Sequence, residues 1–134
     1  MRVFLDTNVL VASFATRGLC SDLLHLVLGE HQLVLGEAVL TELGPVLRGK
    51  LGLPNEVVEE AEAFLRREAE VVLETASVGV AVPDPDDAVI LGQAVASNAD
   101  VLVTGDRDLL EIAEAAPVRI LDPRGFWELL TEEP

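Results

Sequence analysis

Residues 3 to 10 read Val3-Phe4-Leu5-Asp6-Thr7-Asn8-Val9-Leu10. The first three are apolar and suited to a short buried strand, and an acid follows them at once. From Thr7 to Ala15 the pattern is helical, so the strand feeds a helix through a single polar residue. This is the unit from which parallel α/β sheets are built, and it places Asp6 at the carboxyl end of a strand.

The same alternation continues outward. Ser21 to Leu28 is expected to be helical, with Ser21 as N-cap and Asp22 in the first turn. Gln32 to Leu35 reads as a second strand. Glu37 to Leu47 has helical period, and Gly44-Pro45 is expected to break it into two pieces. Asn55 caps a helix through Glu70 whose Val58, Ala61, Leu65 and Ala69 share a face. Val71 to Val82 holds one strand or a short pair, interrupted at Thr75-Ala76-Ser77 and Gly79. Asp84 as N-cap and Pro85 at N1 open a helix to about Asn98. Val101 to Val103 is the next strand, and Asp108 with Glu111 forms a capping box for a helix to about Ala115. Val118 to Leu121 reads as a last strand and Gly125 to Leu130 as a last helix. The expected fold is one α/β domain over residues 1–134, in three layers. Its centre is a parallel sheet of four to five strands with helices on both faces.

Half of the 134 residues are apolar, enough for one core. No apolar run approaches the roughly 18 residues of a membrane span, and no signal-peptide core precedes Asp6. The single cysteine, Cys20, cannot form an internal disulfide, so a soluble, cytoplasmic protein is expected. Acidic residues outnumber basic ones 24 to 9, a net charge of −15, which disfavours loose binding to a polyanion. Two divalent cations would offset four of those charges where it matters. The aromatics are only Phe4, Phe14, Phe64, Phe126 and Trp127, a poor supply for stacking bases.

Ligands of an open parallel sheet bind beyond the carboxyl ends of its strands. Asp6 follows the first strand, Asp84, Asp86 and Asp87 precede a helix, and Asp106 and Asp108 follow the strand Val101 to Val103. Glu42 lies about a turn and a half into its helix and is placed to reach the same edge. Each acid alone has a structural explanation as a cap or a solvated face, Asp84 and Asp108 above all. Together they repel one another unless a cation neutralises them, and only Arg107 stands among them. Oxygen donors alone select Mg²⁺ or Mn²⁺ rather than zinc. His25 and His31 lack a cysteine partner at zinc spacing and read as packing or surface residues, and Cys20 as a small buried one.

The opening segment resembles the start of PIN domains, a nuclease fold found in many toxins of toxin–antitoxin pairs. Further segments agree in order: Leu40-Thr41-Glu42-Leu43 with Val46-Leu47, Asp84-Pro85-Asp86-Asp87 with Gln93-Ala94, and Val103-Thr104-Gly105-Asp106-Arg107-Asp108-Leu109-Leu110. The ending Ile120-Leu121-Asp122-Pro123-Arg124-Gly125-Phe126 also matches. The resemblance implies a metal-dependent ribonuclease whose catalytic and metal-binding acids are Asp6, Glu42, Asp87 and Asp106. Asn8 and Thr104 would support them. Asp84, a turn before Asp87, and Asp108 are further candidate ligands, and Asp86 a bystander. Arg48, Lys50 and Arg107 are candidate substrate contacts, with Arg66 and Arg67 beside them, although helix-surface solvation explains each of these cations. One or two Mg²⁺ or Mn²⁺ ions, RNA, a basic antitoxin segment and a homodimer are the implied cofactors and partners.

Two rivals share part of the pattern. A haloacid-dehalogenase-type phosphatase wants an acid two residues after Asp6, where Asn8 stands, and a lysine later than Lys50. A non-catalytic PIN module acting by protein contact suits the acidic surface, but all four acid positions retain carboxylates.

Overall fold

Val3, Phe4 and Leu5 are all fully buried although successive strand residues point to opposite faces. Both faces of β1 (Arg2–Leu5) are therefore covered, as a parallel sheet between two helical layers requires. The computed structural model describes residues 1–132; the expected domain end at residue 134 lies outside them. β2 (Gln32–Gly36) and β3 (Glu70–Val72) extend the sheet on one side of β1, and β4 (Val101–Val103) and β5 (Arg119–Leu121) on the other. Every pairing is parallel, and the order is β3-β2-β1-β4-β5. The three-layer α/β fold expected from the sequence is the one observed.

The helices are α1 (Thr7–Ala15), α2 (Leu19–Glu30), α3 (Glu37–Gly49), α4 (Asn55–Glu68), α5 (Pro85–Ala96), α6 (Arg107–Glu111) and α7 (Pro123–Thr131). The chain leaves β1 towards β2 and later returns on its other side as β4. The strand order reverses between β1 and β4, where loops diverge and leave a crevice at the carboxyl edge. Phe4 pairs with Leu102 and Leu5 with Val103 in register, so the residues that follow emerge side by side. The Asp6 N–H donates to the Val103 carbonyl at 2.9 Å. Among the described residues, no single helix is long and apolar enough to cross a membrane.

Several local expectations are corrected. Gly44-Pro45 does not divide α3, which runs unbroken through both residues. Pro45 leaves the Thr41 carbonyl without its helical donor, but both residues lie on the exposed side, where water takes that role. α2 starts at Leu19 after Gly18, so Ser21 is inside the helix and not its cap. Pro54 precedes α4 with φ −61°, and Asn55, expected as the cap, instead accepts from Arg48 Nε at 2.8 Å. α4 ends at Glu68, and Glu70 opens β3. Of the stretch Val71 to Val82, only its first two residues are in a strand. The remainder is irregular because α5 claims its polar groups. The Ala76 N–H donates to the Gly92 carbonyl at 2.9 Å, and Gln93 Nε2 donates to the Leu73 carbonyl at 3.4 Å. A Cβ on Gly92 would lie 2.8 Å from the Ala76 carbonyl oxygen, so only glycine permits that approach. α6 begins at Arg107 under an Asp106 cap and stops at Glu111, not near Ala115. Asp122 caps α7, which starts at Pro123, two residues before the expected Gly125. Cys20 is half-buried and not fully enclosed.

Pro45→Ala restores the missing donor at an exposed helical position. The substitution is expected to stabilise the protein by about 1–2 kcal/mol, read as a raised Tm in thermal unfolding.

Candidate active site

Asp6 leaves β1 into the crevice and is 3% exposed. As the N-cap of α1 it accepts from the Thr7 N–H at 2.7 Å, which satisfies one of the four free donors of that helix start. Its other oxygen accepts from Thr104 Oγ1 at 2.7 Å and from Asn8 Nδ2 at 3.3 Å. Burial raises the pKa of its carboxyl, opposed by the Thr104 and Thr7 hydrogen bonds and reinforced by the charge of Asp106.

Thr104 immediately follows β4 and is fully buried. Its hydroxyl donates to Asp6 and accepts from the Asp106 N–H at 3.0 Å, so one side chain ties the two loops of the crevice. Asn8 adds a second tie by accepting from the Gly105 N–H at 2.9 Å. Asn8 and Thr104, expected as support, both donate to Asp6.

Asp106 caps α6 and accepts from the Asp108 N–H at 2.9 Å. The capping role expected of Asp108 thus belongs to Asp106, and Asp108 sits in the first turn with its carboxylate free to face its neighbours. Carboxylate oxygens of Asp87, Asp106 and Asp108 all lie within 4.8 Å of one another. Asp84, the alternative to Asp108 as an extra ligand, is outside that group and caps α5 by accepting from the Asp86 N–H at 2.8 Å. Asp87 is held up at about pH 7 first by burial, then by a hydrogen bond and charge shared with Asp106, and further by Asp84 and Asp6.

Glu42 reaches the crevice from α3, and its Oε1 accepts from Thr7 Oγ1 at 2.7 Å. Burial raises its carboxyl pKa, offset by the Thr7 bond and reinforced by the charges of Asp6, Asp86 and Asp84. Thr7 is the residue that the sequence reading missed. It stands between two singled-out residues at the first position of α1, where a hydroxyl can turn back towards the strand ends. Gln93 was quoted in the sequence without a role; it is 4% exposed, and its Oε1 accepts from the Ala38 N–H at 3.1 Å, fastening the start of α3.

Asp6, Thr7, Asn8, Glu42, Asp87 and Asp106 share one open cavity of about 340 Å³, completed by Val11, Ala12, Val46, Lys50 and Ile90. Of the candidate substrate cations, Lys50 alone lines it. Arg48 is engaged with Asn55, Arg66 pairs with Glu37 at 2.6 Å, and Arg67 lies over the Phe64 ring at 6.0 Å. Arg107 is exposed at the start of α6.

The family description PIN domain matches residues 2–108, and the chain belongs to that family. No curated protein matches the sequence. Among solved structures, VapBC2 from Rickettsia felis, bound to a DNA fragment from its promoter, is similar with TM-score 0.65 and 19% identity, over 91% of this chain and 98% of the other. VapBC-1 from nontypeable Haemophilus influenzae gives TM-score 0.64 and 20% identity over 92% and 99%. PAE2754 from Pyrobaculum aerophilum gives TM-score 0.66 and 19% identity over 99% and 91%.

Folding raises the proton affinity of Asp87 from an ordinary value of 3.8 to about 7. The linked stability is present below pH 4 and is lost as pH rises through 7, because the folded state then holds an uncompensated charge. In the absence of divalent ions, Tm is expected to fall between about pH 4 and 7, and Asp87→Asn to flatten that fall. Parallel wild-type and variant curves would contradict the assignment. Thr104→Val, which keeps the shape but removes the tie, is expected to weaken binding of Mn²⁺ by about 10- to 100-fold in calorimetry.

Proposed function

We propose that this chain is a divalent-metal-dependent endoribonuclease, acting as one PIN unit, and the toxin half of a toxin–antitoxin pair. The observation that carries this reading is the convergence of carboxylates from β1, α3, α5 and the β4–α6 turn on one crevice. Such a cluster is costly unless a cation compensates it.

The donors fit a hard ion. Carboxylate oxygens of Asp87, Asp106 and Asp108 within 4.8 Å of one another are close enough for one ion to be shared among them. Asp6, Asp87 and Asp106 are the ligands of this reading, with Asp108 the added candidate and Glu42 beside them. A Mg²⁺ or Mn²⁺ ion held by these acids would supply Lewis-acid chemistry, lowering the pKa of water and stabilising the leaving oxygen. Asp6 is fixed by Thr7, Asn8 and Thr104, so it orients its partners without rotamer freedom. Glu42 is held through one oxygen by Thr7, which leaves the other to take the proton of the attacking water. Attack on phosphorus in line then breaks the bond to the 3′ oxygen, giving 5′-phosphate and 3′-hydroxyl ends.

Two of the structural neighbours are VapBC assemblies, which supports an antitoxin partner; in this reading the acidic edge would receive a basic segment of that partner. A homodimer and a cytoplasmic site of action complete the reading; light scattering that finds only monomer removes the dimer. The deciding experiment incubates labelled tRNA, mRNA and single-stranded DNA with Mn²⁺, Mg²⁺ or EDTA. RNA is expected to be cut only with metal, and Asp6→Asn to slow cutting by about a hundredfold or more. Wild type and variant equally inert with every metal, and no Mn²⁺ uptake by calorimetry, would leave the protein-contact module as the better account.

A further inference from the structure

Glu42 and Asp87 line the same cavity from two different helices, α3 and α5. Beside them the helices stand apart: Ala38, Thr41 and Glu42 of α3 and Asp86 and Val89 of α5 line an opening of about 220 Å³. Close packing there does not fix how far the two acid-bearing turns are from each other. The other acids are better secured, since Thr104 and Asn8 tie the loops of Asp6 and Asp106 together. What remains free in the crevice is the approach of α3 to α5.

Among the described residues one hydrogen bond joins these two helices, and Gln93 makes it. Its Oε1 accepts from the Ala38 N–H at 3.1 Å. Ala38 is the second residue of α3, one turn before Glu42, and its N–H is among the four donors that a helix start leaves without partners. The N-cap of α3 is Gly36, which has no side chain to supply an acceptor, so the cap comes from another helix. Glycine is also what admits it, because a Cβ at Gly36 would collide with the Gln93 carboxamide. The other end of the amide is used as well: Nε2 donates to the Leu73 carbonyl, just beyond β3, at 3.4 Å. Gln93 is buried, and an amide with both ends engaged holds one orientation.

We propose that Gln93 is a positioning residue: by capping α3 from within α5, it sets the separation of the turn that carries Glu42 from the turn that carries Asp87. This role rests on the metal-dependent reading above and deepens it. A hard ion takes its oxygens at short, narrowly defined distances, so helices displaced by about 1 Å bind it poorly even with every carboxylate present. A side chain that only stabilised α3 would be replaceable by a cap within α3 itself. One that links the helices would not.

The test separates the link from the cap. Gln93→Leu keeps the bulk and removes both hydrogen bonds, and Gly36→Ser, in the space this frees, gives α3 a cap of its own. Nitroxide labels on Thr41→Cys and Val89→Cys, in a Cys20→Ser background with EDTA, report the separation of α3 and α5 by dipolar broadening. Unlabelled protein is titrated with Mn²⁺ by calorimetry well below Tm. Gln93→Leu is expected to lower Tm, to broaden the distribution of separations and to weaken Mn²⁺ binding by about tenfold. Adding Gly36→Ser is expected to recover Tm while separations and Mn²⁺ affinity stay impaired. Gln93→Glu, which keeps on α5 an acceptor for the Ala38 N–H, is expected to retain the narrow distribution. Should Gln93→Leu fail to fold, Gln93→Asn, one methylene short of Ala38, takes its place with the same expectations. Separations unchanged in the folded variant, Mn²⁺ affinity equal to that of a binding wild type, or recovery of both by Gly36→Ser would each overturn the proposal. The last would make Gln93 a helix cap only. Failure of the reading beneath it looks different: wild type takes up no Mn²⁺, or binds it and cuts no RNA, while the label separations still depend on Gln93.

Discussion

Asp6 is a carboxylate that the fold buries at the carboxyl end of its central strand, next to other acids. The rest of the crevice is arranged to tolerate it. The α1 N-terminus presents Thr7 N–H, the β4 edge presents the Thr104 hydroxyl, and Asn8 closes the third side. Two of those donors are engaged a second time, Thr104 by the Asp106 N–H and Asn8 by the Gly105 N–H. The β1 and β4 loops therefore cannot move independently without leaving a buried charge short of donors. Rigid placement of the remaining acids follows from this constraint, since Asp106 and Asp108 hang from the same loop and Glu42 leans on Thr7.

Most of the sheet was legible because a strand buried on both faces cannot hide its composition. Val3 to Leu5, Leu33 to Leu35 and Val101 to Val103 are uninterrupted apolar triplets. β3 was not legible in the same way. It is an edge strand, three residues long and only half-buried, and Val78, Val80 and Val82 after it pack on the core without joining the ladder. The segment's course is decided by the close approach of Gly92 and by Gln93, which are distant in sequence. Pro45 misled for a related reason: a proline breaks a helix by its own steric rule, but tertiary packing of Leu40, Leu43 and Leu47 on the core holds α3 together across it.

The acidic site was readable as a set and less so in its details. Acids after strands and before helices converge by topology, which the alternation of elements reveals. The choice between Asp106 and Asp108 as cap turned on one residue of helix start, the boundary at which local pattern is least informative. The pairing of Thr7 with Glu42 joins residues 35 apart, and no spacing rule reaches that far.

Three of the acids in or beside the crevice, Asp6, Asp84 and Asp106, double as helix caps. Asparagine caps a helix about as well as aspartate. A single amide replacement at Asp106 removes a charge from the crevice while leaving the helix start tied, so the acidic cluster can be depleted without loss of the fold. Descendants of such a chain stand one substitution from a depleted acidic cluster on an intact fold, free to be kept for whatever the surface then binds.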